Sequence, residues 1–157
     1  MMIEIDIPNF GRLRLAHLVL DYNGTLAFDG RLIGGVADQL ELLAEHLRIH
    51  IITADTFGSV HQAFAGSAYT IHVLPPGSEE KNKVEYVRQL GSISTACIGN
   101  GRNDRLMLAE AGLGIAVLQQ EGAALQALLA ADIVIPNIVD ALDLFLHPRR
   151  IIATLRC

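Results

Sequence analysis

Four short stretches of this sequence place polar side chains directly behind apolar runs. Asp21 follows Leu18-Val19-Leu20 and opens Asp21-Tyr22-Asn23-Gly24-Thr25-Leu26. A carboxylate at the end of a buried strand is costly unless it has a purpose. A nucleophile or metal ligand is one such purpose, with Gly24 letting the backbone turn sharply around it. A plain Asx-turn closing the strand explains the same residues. Thr53 ends Ile49-His50-Ile51-Ile52, with Asp55 two residues later. Its hydroxyl and the loop N–H groups suit an oxyanion such as phosphate, and an ordinary helix N-cap is the alternative. Lys81 and Lys83 precede Val84, Val87 and Leu90. Either lysine can pair with a phosphate and a carboxylate, or be a solvated charge among Glu79, Glu80 and Glu85. Gly99-Asn100-Gly101-Arg102-Asn103-Asp104 follows Ala96-Cys97-Ile98. Two glycines and three Asn/Asp residues make a loop able to ligate Mg²⁺ through oxygen. A Gly-rich turn with an Asp cap accounts for Asp104 but not for the rest of that loop.

Such residues need a frame. Ile3 to Ile7 alternates apolar and polar, Pro8-Asn9-Phe10-Gly11 offers a turn, and Arg12 to Leu20 alternates again. The pattern predicts an N-terminal β-hairpin whose second strand runs into a buried centre. Val36, Leu40, Leu43 and Leu47 then recur at helical spacing, followed by a strand over 49–53. Further on, a helix over 60–64, a strand over 69–73, a helix through Val84, Val87 and Leu90, and a strand over 95–98 are predicted. The remaining elements are a helix over 106–111, strands over 114–117 and 132–135, a helix over 122–130, and a helical pattern over 138–155 broken at Pro148. Strands alternating with helices predict an α/β fold: a three-layer, doubly wound, mostly parallel sheet covered on both faces. Such sheets bind ligands at the carboxyl ends of their strands. All four polar stretches stand there.

The 157 residues, with no repeat, linker or low-complexity tract, predict one catalytic domain over 1–157. Hydrophobic residues make up 51% and charged residues 18%, which excludes an intrinsically disordered protein. The net charge of −5 and the lack of a Lys/Arg stripe argue against a nucleic-acid partner. No apolar run has the length of a membrane span, and the N-terminus lacks the basic flank and apolar core of a signal segment. With only two cysteines, Cys97 and Cys157, the expected location is the cytoplasm. Cys97 reads as a small core hydrophobe, and the six histidines as structural or surface residues without metal-ligand spacing.

Taken in order, the four stretches resemble the motifs of the haloacid dehalogenase (HAD) superfamily of phosphotransferases. Within it they are most similar to the phosphorylation domain of P-type ATPases. Asp21 to Leu26 resembles the nucleophile motif Asp-x-x-Gly-Thr, and Ile52-Thr53-Ala54-Asp55 the ATPase Thr-Gly-Asp element. Lys83 sits where the superfamily lysine sits relative to its helix, with Lys81 as the alternative, and Gly99 to Asp104 resembles the Gly-Asp-Gly-x-Asn-Asp loop. The resemblance spans Val19 to about Val117, and the protein as a whole looks like the soluble, capless P-type ATPase-like proteins. It implies a HAD/Rossmann-like fold with no cap domain and a Mg²⁺-dependent phosphohydrolase or phosphotransferase working through an aspartyl-phosphate. Asp21 is then the nucleophile, and Asp21, the backbone carbonyl of Asn23, Asn100 and Asp104 attend the metal. Gly24, Thr53, Ala54 and Lys83 bind the phosphate, and Asp104 orders the metal or Lys83.

Three departures qualify this. Most phosphatases of the superfamily carry an acid/base Asp where Asn23 stands; the ATPases also lack an acid there, so a slow phosphoenzyme is implied. Asn100 replaces the first Asp of its loop, which removes one negative charge from the metal site. Finally, residues 27–52 and 54–82 are too few for an inserted nucleotide-binding or cap domain, so ATP-driven ion pumping is not expected. The expected substrate is a phosphorylated small molecule or macromolecule; without a cap, either that substrate is large or the neighbouring subunit of a homo-oligomer covers the site. The competing expectation is a regulatory module that holds phosphate or a protein partner without useful catalysis. Asn23 and Asn100 favour that module; Asp21, Thr53, Lys83 and Asp104 favour the enzyme.

Overall fold

The computed structural model describes residues 1–55 and 58–157. Ten strands and seven helices are found among them. Strands β1 (Ile3–Ile7) and β2 (Gly11–Leu15) form the N-terminal hairpin, and β3 (His17–Asp21) follows after a single residue. β4 (Ala27–Phe28) and β5 (Arg31–Leu32) form a second small hairpin ahead of α1 (Val36–Leu43). Then come β6 (Arg48–Thr53), α2 (Ser59–Ala63), β7 (Thr70–Val73), α3 (Glu79–Leu90) and β8 (Thr95–Gly99). A short 3-10 turn over Arg102–Asp104 leads into α4 (Arg105–Glu110), β9 (Leu113–Val117) and α5 (Leu125–Ala130). The fold closes with β10 (Ile133–Ile135), α6 (Ile138–Leu146) and α7 (Pro148–Leu155).

Six strands form one sheet in the order β10-β9-β8-β3-β6-β7, and every pairing in it is parallel. β3 is therefore central, with β8 on one side and β6 on the other. Its residues Leu18, Val19 and Leu20 are fully buried, as the near-continuous apolar run of a two-sided strand requires. Leu18 and Leu20 face one apolar cluster with α1 and α6, while Val19 joins Cys97, Ile52, Met107 and Val87 in the other. The sheet is thus covered on both faces. Between β3 and α3 the described residues form only the β4–β5 hairpin, α1, β6, α2 and β7. No cap domain is built from them.

The local corrections have physical reasons. The N-terminal hairpin does not run into the centre as one strand: β2 ends at Leu15, and Ala16 leads on to β3. Ala16 N–H donates to the Ser94 carbonyl at 2.8 Å and its own carbonyl accepts from Arg48 N–H at 2.9 Å, so β1 and β2 stay a separate two-stranded sheet. The helix over 122–130 starts only at Leu125, because the residues before it form a loop pinned to Asn100. Leu47 lies beyond α1 but is still buried. The helical pattern over 138–155 is broken where expected: α6 ends at Leu146 and Pro148 begins α7, a position where its missing N–H costs nothing. Ile151 of α7 is fully buried, and Ile152 and Leu155 pack beside it on the core.

Candidate active site

Asp21 is the last residue of the central strand and lies level with Ile52 of β6, one residue before Thr53. The loops following β3, β6 and β8 therefore open at one end of the sheet. They line a cleft of about 320 Å³ with Asp21, Asn23, Thr53, Ala54, Lys83, Asn100 and Gly101. The cleft also takes in Asn103 of the fourth polar stretch, together with Glu79 and Glu121, which strand-end reasoning did not assign to the site.

The centre of the site is a buried relay of charge. Lys83 Nζ donates to an Asp21 oxygen at 2.8 Å and to an Asp104 oxygen at 2.7 Å. Lys83 is 2% exposed, Asp104 0% and Asp21 7%. Lys83, Val84 and Val87 form the inward face of α3, so the aliphatic stem crosses the core and delivers the ammonium to the strand ends. Lys81, two residues earlier, is exposed on the helix exterior. Thr25 Oγ1 donates to the second Asp21 oxygen at 3.2 Å; Thr25 belongs to the Asp-x-x-Gly-Thr stretch, so its spacing was visible although its partner was not.

Burial pushes the Asp21 carboxyl up to about 7; the Asp104 charge adds to this, against the pull of Lys83 and of the Thr25 hydroxyl. Desolvation works against the Lys83 charge, but the two carboxylates outweigh it and hold the ammonium above its usual range. With Lys83 charged and two carboxylates around it, the centre tends toward excess negative charge, and Glu79 and Glu121 stand on the same cleft.

Asp104 has a second task. Its other oxygen accepts the N–H groups of Asn100 at 3.0 Å and Gly101 at 2.9 Å, which folds the loop after β8. The approach is so close that a methyl group on Gly99 would lie 2.5 Å from the Asp104 carboxyl carbon. Only glycine fits. Asp104 therefore fixes the lysine and the loop with both its oxygens. Asn100 Nδ2 donates to the Gly122 carbonyl at 3.1 Å, which leaves the amide oxygen for other use. Thr53 Oγ1 accepts Asp55 N–H at 3.0 Å, a turn within the loop and not the cap of α2, whose N-cap is Gly58. Accepting that bond leaves the Thr53 hydroxyl proton available to donate, and Thr53 lines the cleft.

Gly24 adopts φ +78°, and a methyl group there would come within 3.0 Å of both amide atoms of Asn100 and within 2.9 Å of a Glu121 carboxylate oxygen. The β3, β8 and β9 loops thus meet over this glycine. Asn23 is exposed at the cleft, and Gly24 also borders a neighbouring cavity behind Phe28 and Arg31. Arg105 makes two hydrogen bonds to the Glu80 carboxylate, at 2.8 and 3.0 Å, as a surface ion pair would.

The donors at the cleft suit a hard divalent cation: a carboxylate oxygen of Asp21 at the end of β3, the backbone carbonyl of Asn23 in the loop after it, and the amide oxygen of Asn100 in the loop after β8. Among the described residues no three His, Cys, Asp or Glu side chains gather as a metal site by themselves. The donor set is a mixed one, with amide and backbone oxygens completing it.

No family model matches this sequence. It is 43% identical over 84 residues to the uncharacterized protein MJ0073 of Methanocaldococcus jannaschii, a stretch covering 51% of this chain and 90% of that protein. The chain belongs to the family of that archaeal protein. Among solved structures it superposes on a HAD superfamily (subfamily III A) hydrolase from Legionella pneumophila with a TM-score of 0.70 at 20% identity, covering 90% of this chain and 87% of that one. The cobalt-bound deoxy-D-mannose-octulosonate 8-phosphate phosphatase of Haemophilus influenzae gives 0.71 at 15% identity, covering 91% and 94%. The 3-deoxy-D-manno-octulosonate 8-phosphate phosphatase of Moraxella catarrhalis, in complex with magnesium and phosphate ions, gives 0.64 at 22% identity, covering 90% and 94%. The fold is the haloacid dehalogenase fold. In it, the strand-end cleft around Asp21 is the candidate active site.

Proposed function

We propose that this protein is a phosphohydrolase or phosphotransferase acting on a phosphorylated small molecule through Asp21, with Mg²⁺ as cofactor. The observation that carries the reading is the buried Asp21–Lys83–Asp104 relay at the end of the central strand, open to a cleft that also holds the Thr53 hydroxyl. The phosphatases of similar fold act on a sugar phosphate, which supports a small phosphate ester as substrate.

Phosphoryl transfer asks mostly for positioning and charge neutralisation. A divalent cation, when bound, offsets charge on the phosphate oxygens and on Asp21. Lys83 holds one Asp21 oxygen and keeps the carboxylate aimed out of the core; Thr53 donates its proton to a phosphate oxygen. An Asp21 oxygen attacks phosphorus, the bond from phosphorus to the ester oxygen breaks, and the leaving alkoxide takes a proton from water, since Asn23 has none to give. A water then attacks the aspartyl-phosphate, the Asp21–phosphorus bond breaks, and inorganic phosphate departs with Asp21 restored.

Asn23 and Asn100 support a second reading, a phosphate-binding module without useful turnover. One experiment separates the two: hydrolysis of a generic aryl phosphate with Mg²⁺ by wild type and Asp21→Asn. Activity lost in the variant supports the enzyme. Equal rates remove Asp21 as nucleophile. Absence of turnover in wild type, with a beryllofluoride-induced rise in melting temperature that Asp21→Asn abolishes, supports the module.

A further inference from the structure

The loss of a carboxylate at Asn100 has a counterpart elsewhere in the sequence. The loop between β9 and α5 does not follow the sheet edge away from the site; it is drawn across β8 toward β3. Ala124 N–H donates to the Asn100 carbonyl at 2.9 Å and Asn100 Nδ2 donates to the Gly122 carbonyl. Gln119, at φ +53°, donates to the Thr25 carbonyl and accepts from Ile138 N–H, which anchors the near end of the loop to the nucleophile loop. Glu121 stands between these anchors. Its carboxylate oxygen and both atoms of the Asn100 amide lie within 3.0 Å of one point, the place a Gly24 methyl group would occupy. Glu121 lines the same cleft as Asp21 and Asn23.

Resting on the metal-dependent reading above, we propose that Glu121 supplies the second negative charge of the cation site, in the place of the aspartate that Asn100 replaces. The Glu121 carboxylate thus lies beside the Asn100 side chain in the cleft that holds Asp21, where both oxygens can turn toward one cation. As a free carboxylate Glu121 gains nothing from this place: it shares the cleft with Asp21, whose lysine is already engaged by Asp21 and Asp104. Like charges so arranged repel unless a cation lies among them. The glycine at position 24 is the steric counterpart, since any side chain there fills the space where the two donors meet.

The test is calorimetric titration of Mg²⁺, and of Mn²⁺ as a second probe, into wild type, Asp21→Asn, Glu121→Gln, Asn100→Asp and the double variant Glu121→Gln/Asn100→Asp. Glu121 is exposed, so the isosteric glutamine leaves the fold in place, as thermal unfolding of the metal-free proteins checks. Glu121→Gln is expected to weaken cation affinity about tenfold or more, and Asn100→Asp to restore that loss in the double variant by returning the charge from the other loop. Glu121→Gln binding as tightly as wild type while Asp21→Asn binds weakly would overturn the role of Glu121 alone. Unchanged binding in both single variants, or none to wild type, would overturn it together with the metal-dependent reading.

Discussion

Asp104 reaches Lys83 with one oxygen at 2.7 Å while its other oxygen closes the loop after β8 on the N–H groups of Asn100 and Gly101. A single carboxylate therefore couples the position of the lysine to the shape of the loop carrying Asn100. Neither can shift without the other, and Lys83 and Asp104 are buried, where a broken ionic contact is not replaced by water.

Lys83→Met tests that coupling. The methionine keeps the aliphatic stem and removes the charge, leaving Asp21 and Asp104 unpaired in the interior. Breaking a buried ion pair from one side typically costs about 3–5 kcal/mol. Urea unfolding is expected to show a loss of that order, with aryl phosphate hydrolysis abolished.

Gly99→Ala tests it from the other side. The new methyl group would stand 2.5 Å from the Asp104 carboxyl carbon, so Asp104 must move. Overpacking of this kind costs about 1–3 kcal/mol. Hydrolysis is expected to fall much further than stability, because both Lys83 and the Asn100 loop are displaced; thermal unfolding and steady-state rates measured on one preparation check the contrast.

Asn23→Asp addresses turnover. Asn23 can orient a water but cannot accept its proton, whereas a carboxylate can, and general-base help is worth about 10²–10⁴-fold. Dephosphorylation of the aspartyl-phosphate, followed by intact-protein mass spectrometry in a single turnover at saturating Mg²⁺, is expected to quicken by a factor in that range. Formation is expected to gain less, since the added charge repels Asp21.

A separate prediction concerns pH and β6 away from the cleft. His50 of β6 bonds His17 at 3.0 Å and the Tyr86 hydroxyl at 2.8 Å, and burial, then the charges of His17 and Arg48, lower its pKa from 6.5 to about 4. The folded protein thus binds a proton less readily than the unfolded one. This contribution to stability is complete above pH 6.5 and is lost as pH falls toward 4, by on the order of 2 kcal/mol. NMR titration is expected to find His50 neutral at pH 5, and His50→Gln to flatten the fall in stability across that interval.

Several features were open to reading from residue order alone. An apolar run ending in a polar residue and a glycine marks a buried strand meeting its loop, because a parallel sheet covered on both faces tolerates polar groups only at its ends. Asp21, Thr53, Asn100 and Asp104 stand there for that reason. Lys83 was separable from Lys81 only by helical phase: three side chains of α3 point inward, and which three depends on how the helix lies on the sheet.

The sequence by itself determined the α/β alternation, the apolar strands and the four polar loops, since hydrophobic period and turn chemistry are local properties. Only the tertiary structure decided that Ala16 divides β2 from β3, that Asp104 serves Lys83 and its own loop together, and that Glu79, Asn103 and Glu121 share the cleft. The shared cleft follows from strand order. β9, β8 and β3 are neighbours in the sheet although Asp21 and Glu121 are far apart in sequence, and no local pattern encodes which strand ends lie side by side. The long-range pairing that buries both faces of the sheet sets that adjacency, and with it the company that Asp21 keeps.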